Sequence, residues 1–179
     1  MIPRDPILTA RLRLEPIGAE HAEALWESSS TSLEELRPWL PWARSAGPAT
    51  TKEFAERSEV SWAADTDYAF VVFEEDLLVG GVGLHTPRIE RLGELGYWIR
   101  TDRTGRGYST EASAAVLAFG FDILGMYRME LRAGVENLAS QRVAEKLGFT
   151  REGTLRQGCP SGEGDGYDCH LYGLLASDR

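Results

Sequence analysis

The chain has 179 residues, 42% hydrophobic and 26% charged, a balance that suits one soluble domain burying roughly 70% of its unfolded surface. Its 19 basic against 28 acidic residues leave a net charge of −9, which argues against a nucleic-acid partner, because neutralising phosphates needs a basic face, and suits a cationic substrate. The start, Met1 to Asp5, has no apolar signal core, and the longest apolar run, Ala114 to Phe121, is far too short to span a bilayer; no membrane association and a cytoplasmic location are expected.

From Leu8 to Ile17, apolar Leu12, Leu14 and Ile17 alternate with Arg11, Arg13 and Glu15, the pattern of a half-buried first strand. Gly18 to Ser30 carries Ala22, Leu25 and Trp26 at helical spacing, and Leu33 to Leu40 reads as a second short helical piece. It ends in Pro38-Trp-Leu-Pro-Trp42, where prolines forbid a long helix. Its tryptophans are either core wedges or an apolar wall for a ligand. After a loop at Ser45 to Thr50, Thr51 to Ala64 is helical, with Phe54, Ala55, Val60 and Trp62 roughly on one side. Tyr68 to Phe73 and Leu77 to Leu84 are strands joined by the turn Glu74-Glu75-Asp76, the second made irregular by Gly80, Gly81 and Gly83. Arg88 to Gly93 is expected to be another turn.

The most informative stretch follows. Leu95 to Ile99 reads as a strand, Gly105 and Gly107 allow a sharp turn, and Tyr108, Ala112, Ala115, Val116 and Phe119 form one face of a helix. Strand, glycine turn and helix start make an anion site by construction, because the N–H groups of the first turn are unpaired and the helix dipole is positive there. Arg100, Arg103 and Arg106 crowd the same turn. The alternative is a tight turn with solvated arginines. Arg128 to Val135 is then a strand, and Asn137 caps a helix with Ala139, Val143 and Leu147 aligned and Gly148 at its end. Phe149 to Leu155 and Cys169 to Leu175 are strands flanking a mobile loop, Gln157 to Gly166. Cys159 and Cys169 are expected to be reduced, and with His170 they match no zinc spacing, so no metal is expected. The order of elements describes a mixed α/β (α+β) sandwich of one domain, 1–179.

Taken in order, Thr9-Ala-Arg-Leu-Arg-Leu14, Trp39-Leu-Pro-Trp42, Leu95-Gly-Tyr-Trp-Ile99, Gly105-Arg-Gly-Tyr108, Asn137 to Phe149 and Asp168-Cys-His-Leu-Tyr172 resemble the GNAT acyltransferases, in particular the RimJ/RimL-type branch that includes N-terminal acetyltransferases of ribosomal proteins. The resemblance covers nearly the whole chain. It implies a single-domain GNAT fold: a mixed, mostly antiparallel sheet with splayed central parallel strands and flanking helices. It also implies acetyl-coenzyme A as donor and an amine acceptor, a small molecule or a protein N-terminus, with a homodimer left open.

In this scheme pantetheine lies in the gap beside Tyr97, Trp98 and Ile99, pairing as an added strand does. The pyrophosphate sits on N–H groups of Thr104, Gly105, Arg106, Gly107, Tyr108 and Ser109; Asn137 reaches the pantetheine arm and Arg142 approaches the nucleotide. The chain departs from the family pattern at the phosphate motif, Gln/Arg-x-x-Gly-x-Gly/Ala, which here is Thr104-Gly-Arg-Gly-Tyr-Ser109, so Arg103 would supply the missing charge. It departs again where many members carry a tyrosine as general acid and this chain has Ala144, which leaves Ser140 as the nearest hydroxyl.

Acetyl transfer needs a neutral amine, a stabilised oxyanion and a protonated thiol. Glu94 is the candidate base, against the alternative of an exposed strand-edge carboxylate. A backbone N–H near Ile99 would polarise the thioester carbonyl. Ser140 is the candidate acid, against a purely structural cap. Glu163 and Asp165 could meet a cationic amine or simply be solvated. Competing functions are a dinucleotide-binding enzyme, disfavoured because Thr110 replaces the third glycine of that fingerprint; a non-catalytic coenzyme A sensor; and a transferase using an acidic acyl group such as succinyl.

Overall fold

A computed structural model describes residues 2, 4–86, 91–161 and 166–179. Through them runs one eight-stranded sheet, in the order β1-β2-β3-β4-β5-β6-β8-β7. The strands are β1 (Ile7–Leu8), β2 (Arg13–Pro16), β3 (Asp67–Glu74), β4 (Leu77–His85), β5 (Leu92–Ile99), β6 (Arg128–Gly134), β7 (Thr150–Pro160) and β8 (Gly166–Leu175). The helices are α1 (Ala22–Ser30), α2 (Leu33–Leu36), α3 (Pro48–Ala63), α4 (Tyr108–Ala118) and α5 (Leu138–Lys146). Every neighbouring pair of strands is antiparallel except β5 with β6. A sheet with one parallel pair is not a doubly wound dinucleotide fold, which needs repeated parallel units.

The stretch Leu8 to Ile17 is two short strands, not one. Thr9 closes a turn on Leu12, with its N–H donating to Leu12 O and its Oγ1 accepting from Leu12 N. Arg11 is drawn out of the alternating pattern by Glu111 of α4, which accepts from both its backbone and its guanidinium. Helix α3 starts three residues before the expected Thr51, because Pro48 sits at its first position and the Thr50 hydroxyl accepts the Gly47 N–H. Its buried stripe is Thr51, Ala55, Ser58 and Trp62, whereas Phe54 and Val60 point to solvent.

Of the expected turn at Arg88 to Gly93, residues 88–90 lie outside the described residues; Leu92 and Gly93 already belong to β5. The irregularity foreseen in the glycine-rich strand is a bulge at Val79: Val72 pairs with Gly80 and Phe73 with Leu78. The freed Val79 carbonyl accepts the Arg100 N–H at 2.8 Å and ends β5 there. In the last hairpin the strands run on to Pro160 and back from Gly166, so of the expected loop Gln157 to Gly166 the described residues are strand apart from Ser161.

The core lies on both faces of the sheet. On one face α4 and α5 cover Leu14, Phe70, Val72, Leu84, Leu95, Met129, Leu131 and Tyr172. On the other, α1 and α3 cover Ile17, Val71 and Leu78. Residues of β5 divide accordingly: Leu95, Tyr97 and Ile99 pack with the α4/α5 layer, and Trp98 with the α1/α3 layer.

Gly80 is where the bulge and β5 come closest. A Cβ there would stand 2.3 Å from the Trp98 carbonyl oxygen, a backbone atom that cannot rotate away. Gly80→Ala is expected to cost about 1–3 kcal/mol by forcing β4 and β5 apart. Gly153→Ala, where a Cβ would meet nothing within 4 Å, should stay within about 0.5 kcal/mol of the parent. Urea midpoints of the two variants check this.

Candidate active site

The parallel pair holds for only the first part of β5. Leu92, Gly93 and Glu94 pair with Arg128, Met129 and Glu130, after which the strands part. From Leu95 to Ile99 the backbone is bonded to β4 on one side, and among the described residues nothing pairs with its other edge. Leu131 to Gly134 of β6 bond to β8 and turn their other edge inward, bare up to the Gly134 carbonyl, which accepts from Asn137 N–H and Gln141 Nε2 at 2.9 Å. Two unpaired backbone edges face each other inside the molecule. That is a slot for an extended ligand carrying its own amides.

The slot leads to the turn before α4. Gly105 and Gly107 both adopt left-handed backbone, with φ of 75° and 81°, and Gly107 is the N-cap residue. The first bond of the helix runs from Glu111 N to Gly107 O. Among the described residues the N–H groups of Gly105, Arg106, Gly107, Tyr108, Ser109 and Thr110 meet no acceptor, as an anion cradle requires. The turn is anchored from outside by Arg11, whose guanidinium donates to Arg106 O at 3.0 Å and pairs with Glu111 at 2.6 Å.

The arginines are less free than their spacing suggests. Arg100 donates to Asp102 from two nitrogens, at 3.0 and 3.2 Å, which holds that carboxyl below its usual range. Arg103 and Arg106 pair with Glu74 at 3.3 and 3.8 Å, and Tyr108, its ring buried, donates its hydroxyl to the same carboxylate. Only the backbone of Tyr108 is therefore open to a ligand. The same is true of Trp98, whose ring packs edge-on against Trp42 on the opposite face, with centroids 5.9 Å apart. Thr104 donates its hydroxyl to Thr101 O at 2.9 Å, and Arg142 is exposed on α5.

On the α5 side, Asn137 accepts the Ser140 N–H at 3.1 Å, so its carbonyl is committed to capping the helix. The Ser140 hydroxyl lies 2.8 Å from the hydroxyl of Tyr97, across from β5. The sequence places Tyr97 beside the pantetheine gap but assigns its hydroxyl no role, although the alternation of β5 puts residue 97 on the same face as 95 and 99. Ala144 is fully buried in the core, so no larger residue fits at that position without moving the helix.

Glu94 lies on the other face of β5 from Tyr97, 3.8 Å from Arg132 of β6 and about one-third exposed. The Glu94–Arg132 pair stands where the two strands begin to part. Arg132 gave no sequence signal beyond its place in an alternating strand. Beyond this pair is a cleft of about 290 Å³ lined by Pro38, Trp39, Val135, Glu136, Tyr167 and Asp168. Tyr167 donates to Trp39 O at 3.0 Å, and their rings meet edge-on. Trp39 is only partly buried and Trp42 is 40% exposed. Neither tryptophan is a core wedge: Trp39 walls the cleft, and Trp42 packs on Trp98. Cys159 and Cys169 are free buried thiols beside Tyr167. Glu163 and Asp165 lie outside the described residues.

Residues 11–150 match the family model for the acetyltransferase (GNAT) domain. The chain belongs to the GNAT acetyltransferase family. Its relatives include an uncharacterised N-acetyltransferase of Bacillus subtilis strain 168, 28% identical over 96% of this chain and 98% of that protein. The Escherichia coli K12 ribosomal-protein-serine acetyltransferase is 26% identical over 82% of this chain and 83% of its own. Human α/β-tubulin-N-acetyltransferase 9 is 29% identical over 83% and 76%. The fold is shared with a RimL ribosomal L7/L12 α-N-protein acetyltransferase in complex with coenzyme A, at a TM-score of 0.90 and 20% identity over 98% of this chain and 100% of that one. Mycobacterium smegmatis RimJ, in complex with a coenzyme A disulfide, superposes at 0.89 with 24% identity over 98% and 89%. This GNAT chain has the RimJ/RimL-type architecture, splayed strands included.

Burial pushes the phenols of Tyr97 and Tyr167 up to about 12 from an ordinary 10, and the Cys159 thiol up to about 12 from 9. The folded chain thus holds these protons more tightly than the unfolded chain. The associated stability is intact below about pH 9 and is lost as pH rises towards about 12. Urea midpoints across that window should fall steadily, and Tyr97→Phe should flatten the slope above about pH 10.

Proposed function

We propose that residues 1–179 form one domain that transfers the acetyl group of acetyl-coenzyme A to a primary amine, with a protein N-terminus as the favoured acceptor, in the cytoplasm. One observation carries this: in a GNAT chain, a slot between two parted strands ends on six N–H groups at the glycine turn before α4 that meet no acceptor among the described residues. The pantetheine amides match the first feature and the pyrophosphate matches the second. The protein acceptor is supported by the names of the Escherichia coli and human relatives, both acetyltransferases of proteins.

The roles of the side chains follow from the two faces of β5. Glu94 and the aromatic cleft lie on one face, so the amine would approach from there and give its proton to Glu94, directly or through water. Its lone pair would add to the thioester carbonyl carbon in the slot, and the carbonyl oxygen would take up negative charge beside β5 backbone N–H groups. The C–S bond would break with its electron pair on sulfur, and the thiol would leave on the α5 face, where Ser140 stands. Arg132, 3.8 Å from Glu94, would hold that side chain where the two strands part.

Donor and acceptor are tested by thiol release from acetyl-, succinyl- and longer acyl-coenzyme A against a panel of peptides and amines. Turnover with acetyl-coenzyme A and N-terminal peptides is expected; preference for succinyl would change the acyl class, and binding without turnover would indicate a sensor. Gly107→Val should weaken acetyl-coenzyme A at least about tenfold in calorimetry, because a branched side chain at φ 81° costs about 1–3 kcal/mol and turns the cradle aside. Retained affinity with an intact fold would count against the cradle. Glu94→Gln should lower kcat/KM at least about a hundredfold and remove the acid limb of the pH–rate profile; an unchanged profile would exclude Glu94 as the base.

A further inference from the structure

The position where many family members hold an acidic tyrosine is occupied here by the buried Ala144, yet a tyrosine hydroxyl still reaches the slot from the opposite wall. Tyr97 projects from β5 toward α5, and its oxygen lies 2.8 Å from Ser140 Oγ, a contact between residues 43 apart in the chain. It joins the two elements that flank the slot on its helix side.

Both members of the contact are held. The Tyr97 ring packs against the main core, and Ser140 sits in the first turn of α5, its N–H fixed by the Asn137 carbonyl. A serine in a helix ordinarily turns its hydroxyl back to the carbonyl of the preceding turn. No such bond is made by Ser140 among the described residues; its oxygen faces Tyr97 instead. Burial holds the Tyr97 proton up to about 12, so at neutral pH the phenol keeps a hydrogen that it can donate to the Ser140 oxygen 2.8 Å away. With Tyr97 donating to Ser140 Oγ, the hydrogen of Ser140 is left to point into the slot.

We propose that Tyr97 is a positioning residue that orients the Ser140 hydroxyl as the hydrogen-bond donor to the leaving thiolate of the acyl donor. This rests on the acetyl transfer proposed above. As the C–S bond breaks, sulfur takes the electron pair and Ser140 O–H meets the developing charge. The proton lost by the amine nitrogen balances the proton finally gained by the sulfur, and Tyr97 ends the cycle still protonated.

The test is a cycle of Tyr97→Phe, Ser140→Ala and the double variant, with Ser140→Thr as the conservative replacement. For each, kcat and donor KM come from thiol release, and the coenzyme A dissociation constant from calorimetry. Tyr97→Phe is expected to lower kcat at least about tenfold with donor KM and coenzyme A affinity within about twofold. It should add little further loss in the Ser140→Ala background, because the two hydroxyls act as one unit. Ser140→Thr should restore most of the turnover lost in Ser140→Ala. Additive losses, an unchanged kcat in Tyr97→Phe, or equal loss of kcat and coenzyme A affinity would overturn the proposal while leaving acetyl transfer standing. A parent protein inactive with every donor and acceptor would overturn acetyl transfer itself, and this proposal with it.

Discussion

The parting of β5 from β6 after Glu94 is the constraint on which the rest of the structure depends. Backbone N–H and C=O groups inside a protein must find partners, and leaving them bare costs free energy comparable to a lost hydrogen bond. A sheet that opens in its middle is therefore stable only if its other pairings are firm and the opening is filled by water or by a ligand that pairs with both edges. The firm pairings are there. β4 is paired with β3 on both sides of its bulge and with β5 from Gly80 to His85, and β8 pairs with every residue of β6 from Arg128 to Gly134. The bulge at Val79 supplies the carbonyl that ends β5 at Arg100, so the strand stops where the chain must swing into the glycine turn.

Charge is distributed around this opening in a way that net charge conceals. A chain of net charge −9 presents three arginines at the turn, but they share two carboxylates: Arg100 pairs with Asp102, and Arg103 and Arg106 both pair with Glu74. Most of the side-chain charge at the turn is therefore neutralised before any ligand arrives. Beside it stands the row of N–H groups at the start of α4, with the dipole behind them. Affinity for a pyrophosphate would then rest on backbone geometry, and the paired arginines would serve to hold Glu74, Tyr108 and the turn in place. The same division holds on the opposite face, where Arg132 stands beside Glu94.

Much of the fold was legible because it is written in local patterns. The alternation of Arg128 to Val135, the helical face of Tyr108, Ala112, Val116 and Phe119, and the Asn137 cap are short-range signals that tertiary packing reinforced. Where local pattern misled, a distant partner had intervened. Alternation from Leu8 to Ile17 was interrupted by Glu111, a hundred residues from Arg11. Trp39 and Trp42, apolar and so apt for a core, stay partly exposed, Trp39 lining the cleft against Tyr167 and Trp42 packed on Trp98.

By itself the sequence determined the glycine turn, the arginines and acids around it, the capped helix α5 and the absence of a tyrosine from that helix. These are identities and spacings, and no folding is needed to read them. Tertiary structure alone decided which faces these residues share. It put Glu94 with Arg132 on one side of the slot and Tyr97 with Ser140 on the other, and it committed Arg103 and Arg106 to Glu74. The physical reason is one of range. A turn or a cap is made by neighbours a few residues apart, whereas a pair such as Tyr97 and Ser140 exists only once a strand and a helix from different parts of the chain have packed against the same core.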